Sequence, residues 1–294
     1  MSGRVRGAAA AVPAPVLVLV AIASVQTGSA FARTAFDVTG AAGITLLRLA
    51  ISGLLLTALV RPRVRRWTRA QWTAATVLGL TMGAMNLVFY LAIREVPLGV
   101  AVTVEFVGPL MVALVQTRRG RDLAWAVLAA AGVALLGLGG GGSVPLGGLV
   151  LALLAGMFWA GYILASARVG SLLPGLDGLA VALLVAALLA LPFGAAGAAR
   201  ALGDGSALAA GVAVALLSSV VPYGLEMTAL RTLPTRVFGV LMSLEPAAAA
   251  VAGLVVLGQV LGARELVALV LVSLASVGVT LGRRGDERAP QPLE

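Results

Sequence analysis

The chain contains no cysteine and no histidine. That excludes disulfides, thiol catalysis, thiolate metal sites and any proton relay or metal site built on imidazole. Lysine is absent as well, since all 21 basic residues are arginine. Charge is scarce throughout: 11% of residues are charged, against about one quarter in a soluble domain. Carboxylates are therefore the side chains left to take up a proton near neutral pH. No Walker motif occurs, so this chain does not hydrolyse ATP. "LGLGGGG" (136–142) imitates a phosphate loop in its spacing, but it lies in a connector with no βαβ unit around it. With no nucleophile–base set and no metal cluster, the chain reads as a non-enzyme without cofactor, metal site or catalytic residues.

What the chain does have is apolar sequence. It is 60% hydrophobic, with a mean hydropathy of +1.05. Apolar runs fall at 15–32, 40–60, 72–93, 97–117, 122–139, 146–168, 176–198, 207–230, 236–258 and 264–282. They are continuous and mostly about 20 residues long, which predicts membrane-spanning helices and excludes the alternating pattern of a β-barrel. The expected fold is an all-α polytopic membrane protein with ten transmembrane helices. Arg4 and Arg6, "PVLVLVAIAS" and "AFA" (30–32) imitate a cleavable signal peptide. The first run is nevertheless long enough to span, and removing it would spoil the helix count.

The arginines test that count. A net charge of +9 would suit nucleic acid, but the arginines sit between apolar runs, as topology determinants do. With a cytoplasmic N-terminus, Arg4, Arg6, Arg61, Arg63, Arg65, Arg66, Arg69, Arg118, Arg119, Arg121, Arg168, Arg231, Arg236, Arg283, Arg284 and Arg288 all fall on the cytoplasmic side. Only Arg33, Arg94, Arg200 and Arg264 fall opposite, and Arg48 lies within a span. This bias predicts both termini in the cytoplasm.

An internal repeat is visible. Shifted by 137 residues, "LAIREVPLGVAVTVEFVGPLMVA" (91–113) lies on "TALRTLPTRVFGVLMSLEPAAAA" (228–250) without a gap. Arg94 meets Arg231, Pro97 meets Pro234 and Pro109 meets Pro246. Five helices is an odd number, so two such halves would be inverted relative to each other, as in many secondary transporters. The expected organisation is a tail (1–14), a first five-helix repeat (15–139), a connector (140–145), a second repeat (146–282) and a tail (283–294).

Four charged residues lie within spans: Arg48, Glu105, Glu226 and Glu245. At about 1.5 Å per residue, the first two lie about 12 Å deep and Glu245 about 14 Å deep. All three are thus near the midplane of a core about 30 Å thick. Glu226 is closer to the cytoplasmic end. A midplane charge costs at least about 2.5 kcal/mol and needs a partner or a cavity. Two readings stay open. Arg48 and Glu105 form a buried pair that only fixes helix packing, or the carboxylates exchange a proton or a substrate ammonium. Pro109 and Pro246 lack an N–H, so the carbonyls of Glu105 and Met242, four residues earlier, lose their helical partners. Glu105 and Met242 are equivalent under the 137-residue shift. Each half therefore carries a loosened turn at mid-membrane, which is either a simple kink or part of a site. Gln26, Asn86, Tyr90, Trp159, Tyr162 and Tyr223 are candidates to line the same space, or to serve helix packing. Gly79 and Gly83 form a GxxxG that predicts close helix contact.

The stretches "IASVQTGSAFARTAF" (22–36), "GITLLRLAISGLLL" (43–56), "GAMNLVFYLAIREVPLGVAVTVEFVGPLMVAL" (83–114) and "SVVPYGLEMTALRTLPTRVFGVLMSLEPAAAAVAGLVVLG" (219–258) carry a resemblance. The chain resembles the drug/metabolite transporter superfamily, EamA type, and within it the bacterial threonine/homoserine exporters. The resemblance implies ten helices in two inverted halves. It also implies export of small amino acids across the bacterial inner membrane by proton antiport. Gln26, Arg48, Asn86, Tyr90, Glu105, Tyr223, Glu226 and Glu245 all sit in the matching stretches. One departure is Gln259, where the family commonly has a glutamate. The expected partners are a small zwitterionic substrate, protons and the lipid bilayer, with no nucleic acid; a homodimer is compatible with these features. The alternatives are efflux of another metabolite or toxic compound, or a structural membrane protein with a dry core.

Overall fold

The computed structural model describes residues 12–117, 122–137, 144–229 and 233–282. Arg4, Arg6, Arg118, Arg119, Arg121, Arg231, Arg283, Arg284 and Arg288 lie outside the described residues, as does most of the glycine-rich connector. Among the described residues the regular structure is entirely helical. The helices are α1 (Ala14–Thr34), α2 (Phe36–Val60), α3 (Arg69–Glu95), α4 (Leu98–Glu105), α5 (Val107–Thr117), α6 (Asp122–Gly137) and α7 (Leu146–Leu172). They continue with α8 (Asp177–Leu202), α9 (Gly205–Ala215), a π-turn (Leu216–Val220), α10 (Val221–Ala229), α11 (Thr235–Met242), α12 (Glu245–Leu257) and α13 (Ala263–Gly282).

Nine stretches among the described residues are long and apolar enough to cross a membrane. Three of them are composite: α4 with α5, α9 through α10, and α11 with α12. The apolar part of α6, Leu123–Gly137, is shorter. Large apolar side chains face outward all along these helices. Leu54, Leu188, Phe193 and Val255 are each more than 60% exposed, which suits contact with lipid and not with water.

Inside, the helices are held by small residues that let backbones approach. A Cβ on Gly79 or Gly83 of α3 would press on Ala182, Val185 and Ala186 of α8, so the GxxxG is a close helix contact. Gly43 of α2 and Gly197 of α8 meet in the same way. The packing pairs are α2 with α8, α3 with α7 and α8, α6 with α13, and α1 with α10 and α12. The halves of the broken helices have different neighbours. α4 packs on α12 and α7, α5 on α7 and α6, and α11 on α13 and α1.

Local signals set the ends that matter for the site. Pro97 and Pro234 precede α4 and α11 with φ of −56° each, a value already suited to helix entry. Both helices then run for 8 residues. α12 ends at Gly258, whose φ of 66° favours glycine. The turn delivers Gln259 to α4, where its Oε1 accepts a hydrogen bond from the Leu98 N–H at 2.9 Å. A carboxylate is not needed for that bond, so the departure at Gln259 leaves the cap intact.

Candidate functional site

The site begins at two interruptions. Pro109 cannot donate to the Glu105 carbonyl, and the chain leaves α4 at Phe106 before resuming as α5. The backbone of Gly156 on α7 lies against that carbonyl, so closely that a Cβ there would collide with it. Gly108 meets the Gly156 backbone as tightly, so two glycines let α7 cross the broken segment. In the second interruption, Ser243 and Leu244 donate to Val240 and Leu241, tightening the end of α11 at 3.2 and 3.0 Å. Glu245 then opens α12, followed by Pro246. Both breaks fall where the proline spacing predicts them.

A third interruption lies in the span from α9 to α10, where the residue concerned is Pro222. Its missing N–H would have served the Ser218 carbonyl in an α-turn or the Leu217 carbonyl in a π-turn. Both carbonyls have other donors. Ser24 Oγ on α1 donates to Leu217 O at 2.6 Å, and Arg48 Nη2 donates to Ser218 O at 2.8 Å. Arg48 Nε also donates to Ser219 Oγ at 3.3 Å, and Nη1 to Tyr90 Oη at 3.1 Å. Its guanidinium carbon lies 5.7 Å from the centre of the Tyr90 ring, within cation–π range. Arg48 is thus fixed by α3 and the π-turn, and none of its hydrogen bonds goes to a carboxylate. Two of the guanidinium's five N–H donors have no hydrogen bond to a described residue.

These elements enclose a cavity of about 440 Å³. α1 contributes Gln26 and Ser29, α2 contributes Arg48, and α3 contributes Asn86. The first break supplies Glu105, Phe106 and Pro109, and α7 supplies Trp159 and Tyr162. Ser218, Tyr223 and Glu226 line it from the third interrupted span, with Met242 and Glu245 from the second break. The Trp159 and Phe106 rings meet edge to face at 5.5 Å, joining α7 to the broken turn. Val25, Met85, Phe89, Ile163 and Phe238 complete an apolar remainder.

Several of the polar groups here lack partners, although Tyr162 and Tyr223 hydrogen-bond each other. Glu105 and Glu245 are 6% and 7% exposed, and neither carboxylate accepts a hydrogen bond from a described residue. Gln26 is 3% exposed, and its Oε1 is unpartnered, as is Ser218 Oγ. Asn86 donates Nδ2 to Met82 O of its own helix. Buried polar groups need such partners, so the cavity is built for a polar occupant or water.

The structure brings together around one cavity Gln26, Arg48, Asn86, Glu105, Trp159, Tyr162, Tyr223, Glu226 and Glu245, all of them candidates from the sequence. Tyr90 is the correction. It is fully buried behind Arg48 and holds the guanidinium instead of lining the cavity. Pro246 is buried in the break and does not line it. The pairing of Arg48 with Glu105, one of the two readings left open, is not formed. Sequence reasoning missed Ser218 and Ser219, although the carbonyl argument applied to Pro109 would have found Ser218 from Pro222.

Residues 146–281 match the EamA-like transporter family. The chain is 46% identical over 280 residues to the threonine/homoserine exporter RhtA of Salmonella typhimurium (strain SL1344), covering 94% of this chain and 95% of that one. It is 46% identical over 275 residues to the protein of the same name from Escherichia coli (strain K12), covering 93% of each. A solved crystal structure at 19% identity covers 93% of this chain and 98% of its own, with a TM-score of 0.61, and so shares the fold.

Proposed function

The chain belongs to the EamA-like transporter family, and from that premise we propose that it exports a small zwitterionic amino acid, threonine or homoserine, by proton antiport. It is a transporter and not an enzyme, a multi-pass protein of the bacterial inner membrane. The observation that carries the substrate reading is the set of unpartnered polar groups around one cavity. Arg48 keeps free N–H donors for a carboxylate, while Glu105 and Glu245 face it without hydrogen-bond donors. The volume, about 440 Å³, falls in the range of ligand pockets, about 300–1,000 Å³.

Ten spans in two inverted halves, 15–139 and 146–282, form the architecture of this proposal. Two observations support it. α4 and α11 have equal lengths, and their bounds differ by 137 residues at both ends. With α6 counted as a span, replacing each span by the one five later maps the main helix pairings onto one another: α3 with α7 becomes α1 with α10, and α2 with α8 maps onto itself. The arginine bias supports cytoplasmic termini. Arg61, Arg63, Arg65, Arg66, Arg69 and Arg168 all lie toward one end of the described helices.

Transport then follows from the packing. Ala35, Ile93, Val96, Leu98, Ala201 and Ala207 belong to one buried cluster, which in this proposal seals the cavity at the end opposite the arginine-rich loop. The cavity instead extends toward Glu226 and Phe238. Substrate enters from the arginine-rich side, rocking of one half against the other opens the sealed end, and protonation of a carboxylate resets the site. A purely structural role would put Arg48 and Glu105 in contact, and Arg48 is bound elsewhere.

A labelled panel of amino acids and sugars, followed as efflux from cells lacking other exporters, tests the substrate. Efflux of threonine and homoserine, abolished by Arg48→Gln, is expected. Efflux of an unrelated compound with neither amino acid moving would overturn the assignment.

A further inference from the structure

Away from the central cavity, the connector between α2 and α3 forms a basic pocket against the connector between α7 and α8. Its volume is about 760 Å³. Arg61, Arg63, Arg66 and Trp67 line one wall, and Pro174 and Asp177 the other. A topology signal needs only charge on one side of the membrane, yet this loop is also ordered. Arg61 is the one non-glycine described residue with positive φ, at 53°, and its N–H caps α2 by donating to Thr57 O at 2.8 Å. Val64–Arg66 form a 3₁₀ turn, and Thr68 with Gln71 makes a capping box at the start of α3. The Gln71 side chain then donates Nε2 to Leu172 O at 2.9 Å, tying the two walls together.

Within that frame three arginines and a single carboxylate line one pocket, and none of the three guanidiniums forms an ion pair or hydrogen bond with a described residue. The pocket lies where α2 and α3 leave the apolar core. The Trp67 and Trp72 rings meet there at 5.2 Å, an interfacial pairing. Leu54 and Leu59, 64% and 67% exposed, lead along α2 up to the pocket. A basic pocket that continues an apolar helix surface suits an amphiphile better than a free anion.

We propose that this pocket binds the phosphate headgroup of an anionic glycerophospholipid, with the acyl chains lying along α2. Asp177 opposes the headgroup and sets its affinity below what three arginines alone would give. The site is independent of the transport reading.

The test uses the full-length protein in neutral detergent, with native mass spectrometry and thermal unfolding to follow phosphatidylglycerol, phosphatidylcholine, glycerol phosphate and inorganic phosphate. Phosphatidylglycerol is expected to bind and raise Tm, and the other three are not. Each arginine near a membrane surface contributes about 1 kcal/mol, so Arg63→Gln with Arg66→Gln should weaken binding about 25-fold. Asp177→Asn keeps every arginine and should tighten it, which covers the case where the double variant fails to fold. Equal binding of phosphatidylcholine, an equal effect of inorganic phosphate, or an Asp177→Asn variant with unchanged affinity would each overturn the proposal.

Discussion

Pro222→Ala is the substitution that most sharply probes how Arg48 is held. Alanine restores an N–H that an α- or π-turn would direct at the Ser218 or Leu217 carbonyl, and those carbonyls now accept from Arg48 and Ser24. An amide four or five residues along competes with them at no cost in loop closure. A hydrogen bond to a charged group contributes about 1.5–3 kcal/mol. Arg48 keeps Tyr90 and Ser219, so the lower end applies, and a loss of about 1.5 kcal/mol weakens substrate binding about tenfold. Removing a proline from a helix interior works the other way on stability, since its presence there costs about 3 kcal/mol. The variant should therefore unfold at the same or a higher temperature while its half-saturating substrate concentration rises about tenfold. The assay is efflux from vesicles over a range of internal threonine, with tryptophan-monitored melting alongside. Unchanged half-saturation would refute the idea that Pro222 frees the carbonyl for Arg48.

Other substitutions test neighbouring parts of the account. Gly156→Val drives a side chain into the Glu105 carbonyl and should separate α7 from the broken turn, lowering Tm and abolishing transport together. Gln259→Leu leaves the Leu98 N–H without its acceptor, at about 1–3 kcal/mol for a buried amide; Gln259→Glu should retain the cap and the Tm. Asp204 caps α9 through the amides of Ser206 and Ala207, and the Ser206 hydroxyl is the first cause of a carboxyl held below its ordinary 3.8. A depressed folded-state value means stability that is present above the unfolded value and lost as pH falls through the folded one. Melting curves below about pH 4 should therefore show a fall that Asp204→Asn lacks.

Much of this was legible because the bilayer restricts what a sequence can do. Continuous apolar runs leave few options other than helices, and a proline at depth forces a loose carbonyl four residues earlier. Pro109 and Pro246 stand beside the two turns where these helices are interrupted. Glu105, Glu245 and Arg48 were visible as costly charges within apolar runs, but the partners of Arg48 were not. Which carbonyl or hydroxyl Arg48 finds depends on how α2 meets the π-turn and α3, a contact between residues 170 or more apart in the chain for the π-turn. Tyr90 was misplaced for the same reason. Its four-residue spacing from Asn86 puts both on one helix face, but that face is wide enough for one residue to reach the cavity and the other to lie behind Arg48. Ser218 went unnoticed although Pro222 announces it, because a serine in an apolar run carries no charge to attract attention.

The central claim is that the buried carboxylates couple threonine export to protons. The direct measurement is threonine efflux from proteoliposomes holding the purified protein, with and without an imposed proton gradient, for the native chain, Glu105→Gln and Glu245→Gln. The account predicts gradient-driven efflux that at least one of the two variants uncouples, leaving only passive exchange. Efflux indifferent to the gradient, or coupling that survives in both variants, would contradict it.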